Sequence, residues 1–171
     1  MLVRIIGGAL IFLSCAALGM YYSLKDSFRI ADLSELKKAL LLLKGEIDFA
    51  RSTMPEAMGK VAARTQPKLA AFFLAMQDNL PVTETAAEAW GAAADATLGV
   101  LYLDEEDLRN VRALGETLGY LSAKTQIEGL DMTILYIDAQ IEKLRATEGR
   151  NRRLYQNTGI IFGILLIIVL I

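Results

Sequence analysis

Two apolar, charge-free runs, one near each end of the chain, restrict this sequence more than any other feature. Residues 5–24 carry no charged side chain, and about twenty such residues are what an α-helix needs to cross a bilayer core. Tyr21 and Tyr22 close the run, where interfacial aromatic residues sit. Residues 158–171 form the second run. Extended back through Leu154, Tyr155 and Gln156 it reaches about eighteen residues, short but adequate for a span. A cleaved signal peptide would also begin with a basic residue and a short apolar core. Here, however, the run continues past Ala16 and Ala17 through Met20 and the tyrosines. Phe12-Leu13-Ser14 is a poor lead-in for acylation of Cys15. The expectation is an uncleaved membrane helix at residues 1–24, a helical bundle at 25–153 and a second membrane helix at 154–171.

The flanks set an orientation. Lys25 and Arg29 follow the first run, and Arg150, Arg152 and Arg153 precede the second; outside the pair stands only Arg4. Basic residues mark the cytoplasmic side, so the bundle is expected in the cytoplasm, with the arginine cluster against lipid headgroups.

Composition excludes more than it suggests. The chain of 171 residues has no histidine and one cysteine, which removes the commonest general base, the commonest metal ligand and any intrachain disulfide. A net charge of −2 gives no electrostatic case for nucleic acid. Phosphate-binding glycine loops and nucleophile elbows are missing from the sequence. No catalytic residue, metal or cofactor is expected.

The middle of the chain reads as all-α, with apolar residues at helical spacing. Leu33, Leu36, Leu40, Leu43, Ile47 and Ala50 step by three and four, as do Ile127, Leu130, Ile134, Ile137, Ile141 and Leu144. These two stripes are expected to pack against each other. Thr53-Met54-Pro55-Glu56 reads as a capping box opening a helix to about Ala63. Thr65-Gln66-Pro67 repeats the start signal, Asn79-Leu80-Pro81 ends that helix, and Thr83 is expected to cap the next. Trp90 reads as a core anchor, with a partner hot spot as the rival. Asp104-Glu105-Glu106-Asp107 suits the positive end of a helix; consecutive acids splay around it, which argues against a metal or acid–base site. Gly115 and Gly119 read as small residues for close helix packing. The last soluble helix starts near Ser122 and runs unbroken toward the second membrane segment.

The order of these pieces carries a resemblance. They are the apolar start, Glu46-Ile47, Thr53-Met54-Pro55-Glu56-Ala57, Phe72-Phe73, Trp90, Leu114-Gly115-Glu116-Thr117-Leu118-Gly119 with Gln126, then Leu154, Gly159, Gly163 and an aliphatic end. Taken together the chain resembles the stage III sporulation protein AB family. That resemblance implies a non-catalytic membrane platform subunit of a secretion-like feeding-channel complex between mother cell and forespore, in the outer forespore membrane. It also implies likeness to the cytoplasmic domains of the platform proteins of type II secretion and type IV pili. The implied partners are a secretion-type ATPase (stage III sporulation protein AA), other subunits of the complex and membrane lipid, not nucleic acid. Exposed polar positions near helix ends are the candidate partner-binding residues: Glu46, Arg51, Glu56, Asp104, Glu105, Asp107 and Arg109. The alternative is a membrane-anchored regulator that binds a cytoplasmic signalling factor through the same bundle.

Overall fold

A computed structural model describes residues 2–118 and 122–170, with side chains over 24–118 and 122–146 and at Ser14, Ala17 and Tyr21. In order the chain forms α1 (Leu2–Asp48), α2 (Met54–Ala62), α3 (Pro67–Asn79), α4 (Ala86–Thr97), a 3-10 turn (Leu98–Val100), α5 (Glu105–Leu118) and α6 (Ala123–Leu170). Among the described residues there is no strand; the fold is all-α. Two compact units result, Met1–Ile30 with Glu142–Ile171, and Ala31–Ile141.

The first unit consists of the helical ends of α1 and α6. Among the described residues no helix is long and apolar enough to cross a membrane. The side chains of the spans expected at 1–24 and 154–171 lie almost entirely outside the described residues, as does Gly119.

In the second unit α1 and α6 run side by side and antiparallel. Lys37 Nζ donates to Asp138 Oδ1 at 2.6 Å. Two turns further along α1 and two turns back along α6, Lys44 Nζ reaches Asp131 at 2.6 and 2.8 Å. This spacing fixes a heptad-like register between the helices. The expected stripes fill the seam: Leu33, Leu36, Leu40, Leu43 and Leu130 are fully buried, and Ile47, Ile134, Ile137 and Ile141 nearly so. Each such side chain contributes about 1.5–3 kcal/mol by leaving water. Ile127 is only half-buried and Ala50 is exposed. Ala50 falls out of the stripe because α1 ends at Asp48. There Ala50 N–H donates to Gly45 O at 3.3 Å and Ser52 N–H to Glu46 O at 3.1 Å, and Arg51 takes a left-handed backbone (φ 49°). A non-glycine residue held there costs about 1–2 kcal/mol.

Helices α2 to α5 pack in sequence, each on the next. Trp90 of α4 is their centre. It is fully buried, meets Phe72 edge-to-face at 4.6 Å and Phe73 at 6.3 Å, and donates from Nε1 to Val111 O of α5 at 2.6 Å. It is the core anchor; burial removes it from any partner surface.

The helix starts follow the expected positions more closely than the expected bonds. Thr53 occupies the N-cap of α2 and Pro55 its first turn, but the threonine makes no side-chain cap bond. Glu56 turns instead to Lys60 at 2.9 Å, so no capping box forms. Gln66 sits at the N-cap of α3. Thr65 turns back to close α2, donating to Val61 O and Ala62 O. Helix α4 is capped by Thr85 rather than Thr83: Thr85 Oγ1 accepts from Glu88 N–H at 3.1 Å, and Glu88 accepts from Glu84 N–H at 3.2 Å. Thr83 bonds to Asn79 O at the end of α3 instead.

Candidate functional site

The seven candidate residues separate into two groups. The first lies where α1 gives way to α2. Lys60 Nζ bridges Glu46 at 3.1 Å and Glu56 at 2.9 Å, and Ser52 Oγ donates to Glu46 Oε2 at 2.8 Å. These donors hold the Glu46 carboxyl below the usual carboxylate range, Ser52 first and Lys60 second. The bond to Glu56, followed by that to Glu46, holds the Lys60 amine above its ordinary value. Glu56 and Arg51 are exposed beside this cluster. A cleft runs between the turn (Ile47, Arg51, Ser52) and the first turns of α6 (Lys124, Ile127, Glu128).

Phe49 belongs to this end and was not among the sequence candidates. It is 85% exposed. A signal for it existed: two residues past Ile47 it is about 200° around a helix from the seam. Exposed aromatic residues and arginine are enriched at protein–protein interfaces.

The second group lies at the start of α5. Asp104 Oδ1 accepts from Asp107 N–H at 2.8 Å, and Asp107 Oδ2 accepts from Asp104 N–H at 3.0 Å. This is a reciprocal capping box built from two aspartates. Tyr136 hydroxyl of α6 donates to Asp107 Oδ1 at 3.0 Å, and Asp107 is only 1% exposed. Asp107 is therefore a structural residue and not a surface one. The acids do not all splay, because the third helical position faces back over the start of its own helix. Burial pushes the Tyr136 hydroxyl well above the usual tyrosine range, and the Asp107 carboxylate adds to the shift. Glu105 and Arg109 are exposed and 3.9 Å apart.

The groups sit at opposite ends of the Ala31–Ile141 unit. Tyr102 N–H donates to Asp32 of α1 at 2.7 Å, which places the entry to α5 near the Ala31 end. Glu46 lies fourteen residues further along α1, about 21 Å at the helical rise. The structure brings together Glu46, Arg51 and Glu56, and separates them from Asp104, Glu105 and Arg109.

Among the described residues no group of three or more His, Cys, Asp or Glu is placed to hold a metal ion. What the geometry offers is a polar end with an exposed aromatic, suited to contact with another protein.

Comparison with known proteins points to the same family. The profile described as Stage III sporulation protein AB matches residues 4–171. Stage III sporulation protein AB of Bacillus subtilis (strain 168) is 21% identical over 170 residues, covering 99% of both chains. A solved structure of Stage III sporulation protein AB (SpoIIIAB) superposes with a TM-score of 0.66 at 20% identity, over 72% of this chain and 98% of the other. The helical stripes, the Trp90 core and the match over nearly the whole length lead to one conclusion: the chain belongs to the stage III sporulation protein AB family.

Proposed function

We propose that the protein is a membrane-held, non-catalytic platform subunit of a secretion-like complex in sporulation. Its Ala31–Ile141 unit stands in the cytoplasm of the mother cell and receives a secretion-type ATPase, the partner (stage III sporulation protein AA) that the family resemblance implies. The apolar runs at 5–24 and 158–171, with basic residues on their inner flanks, support the attachment and its orientation. The observation that carries the docking reading is the exposed Phe49 where α1 gives way to the turn that carries Arg51 and leads to Glu56 and Lys60. It lies at the end of the unit away from Ala31 and Ile141, from which the chain continues to both apolar runs.

The test is titration of the full chain in lipid nanodiscs with the purified ATPase. Saturable binding is expected, weakened by about tenfold or more by Phe49→Ala or Glu56→Lys and unchanged by Glu105→Lys at the opposite end. Equal weakening by Glu105→Lys would refute this assignment of the docking end. Capture of a monomeric signalling factor, with no ATPase binding, would move the regulator reading to the front.

A further inference from the structure

The outward face of the α1–α6 pair is more ordered in its chemistry than a solvated surface requires. Between Lys37 and Lys44 on α1 stands Leu41, 48% exposed; between Asp131 and Asp138 on α6 stands Leu135, 64% exposed. Helical spacing turns both about 40° outward from the lysines and aspartates that meet across the seam. Two large apolar side chains are thus framed by the Lys37–Asp138 and Lys44–Asp131 pairs, whose four charged groups are themselves about one-third to one-half exposed.

Charge is sorted by helix. The α1 edge presents Lys37 and Lys44. The α6 edge presents Asp138, Asp131 and Glu128, then Lys124.

We propose that this face is where a second copy of the chain docks, about a two-fold axis parallel to α1 and α6. Rotation about that axis lays α1 of one copy over α6 of the other. Lys37 and Lys44 then face the partner's Asp138 and the partner's Asp131, and Leu41 faces the partner's Leu135. The two ion pairs of each copy merge into two four-charge clusters around an apolar strip. A two-fold axis across the helices would set lysine on lysine and aspartate on aspartate, so the charge pattern selects one dimer and opposes the other. The selected axis also keeps the Ala31 and Ile141 ends of both copies on one side.

The test uses the full chain in detergent micelles, with Cys15→Ser as background. One tagged copy carries Leu41→Cys and a second, differently tagged copy carries Leu135→Cys. Oxidation is expected to cross-link the mixed pair several-fold more than either variant with itself, because like positions are offset by about one interhelical distance of 8–10 Å. Equal cross-linking of like and unlike pairs overturns the proposal. A variant with Lys37→Asp, Lys44→Asp, Asp131→Lys and Asp138→Lys keeps both intrachain ion pairs in reversed sense. It is expected to dimerise with itself but at least about tenfold less with the unaltered chain. Leu135→Asp changes an exposed residue and leaves the fold intact, and it is expected to yield monomers on sedimentation. A dimer that persists in Leu135→Asp, or an unaltered chain that is monomeric at tens of micromolar, overturns the proposal as well.

Discussion

Gly115→Ala is a sharp test of how α4 and α5 meet. A β-carbon added at Gly115 would lie 2.6, 2.8 and 2.9 Å from Cδ1, Cγ and Cβ of Trp90. These are root atoms of the side chain, not a flexible tip. The indole has little room to yield: its Nε1 is bound to Val111 O at 2.6 Å and Phe72 and Phe73 pack against the ring. Forcing a methyl into such a core costs about 1–3 kcal/mol, and a lost indole hydrogen bond adds about 1–3 kcal/mol. Alanine returns about 1 kcal/mol through its helix propensity. The expected net loss is about 1–5 kcal/mol. Gly91, next to Trp90 on α4, provides the control: nothing lies within 4 Å of its β-position. Gly91→Ala is expected to stabilise by about 0.5–1 kcal/mol. Urea unfolding of the full chain in micelles can be followed by the fluorescence of Trp90, the only tryptophan. If Gly115→Ala matched Gly91→Ala in sign, the close crossing of α4 and α5 would be wrong.

Further outcomes follow from the polar contacts. Tyr136→Phe strips the buried Asp107 carboxylate of a donor and is expected to cost about 1–3 kcal/mol in the same unfolding assay. Thr85→Ala should cost about 1 kcal/mol, whereas Thr83→Ala, away from the N-cap of α4, should cost less. Folded Tyr136 holds its proton above the ordinary tyrosine range, so its contribution is complete below about pH 10, where an unfolded tyrosine begins to ionise. Stability should fall as pH rises beyond that point, with a shallower slope in Tyr136→Phe. Glu46 works in the opposite sense, because its folded value is lowered. Its contribution is present above the ordinary glutamate range and is lost as pH falls through the lower folded value, a decline that Glu46→Gln should remove.

The seam was legible because period and composition agree there. Leu33 to Ile47 and Leu130 to Ile141 alternate with charge at helical spacing, so one stripe in each helix had to be buried. Trp90 and Gly115 were legible by size: the largest and the smallest side chains mark where helices meet. The end of α1 was not. Ala50 continues the stripe by count, and arginine gives no sign that its backbone turns left-handed. The caps were missed by one or two residues where two hydroxyls compete, as with Thr83 and Thr85. Spacing offers either, and the choice depends on which helix end each one faces. Asp107 was misplaced for a different reason. Four consecutive acids look alike in sequence, and only the position of Tyr136 on a helix beginning sixteen residues after Asp107 distinguishes the buried one. The candidate site was partly legible, since Glu46, Arg51 and Glu56 come together. Its aromatic member lay off the stripe and outside the polar residues considered.

A pattern joins these contacts. Polar residues of α1 meet one neighbour after another along its length: Asp32 takes the entry to α5, Lys37 and Lys44 take α6, and Glu46 takes Lys60 of α2. Exposed or half-exposed ion pairs contribute only about 0–1 kcal/mol each, so their value to the fold is register rather than stability, which the leucine seam supplies. Replacing Lys44 and Asp131 together, as Lys44→Met with Asp131→Leu, should therefore change unfolding stability by less than about 1 kcal/mol. A loss above about 2 kcal/mol would mean that the pair behaves as a desolvated one, and that α1 is held by charge as much as by its apolar stripe. A loss below about 1 kcal/mol would show that the leucine seam, and not this pair, carries the stability of the α1–α6 contact.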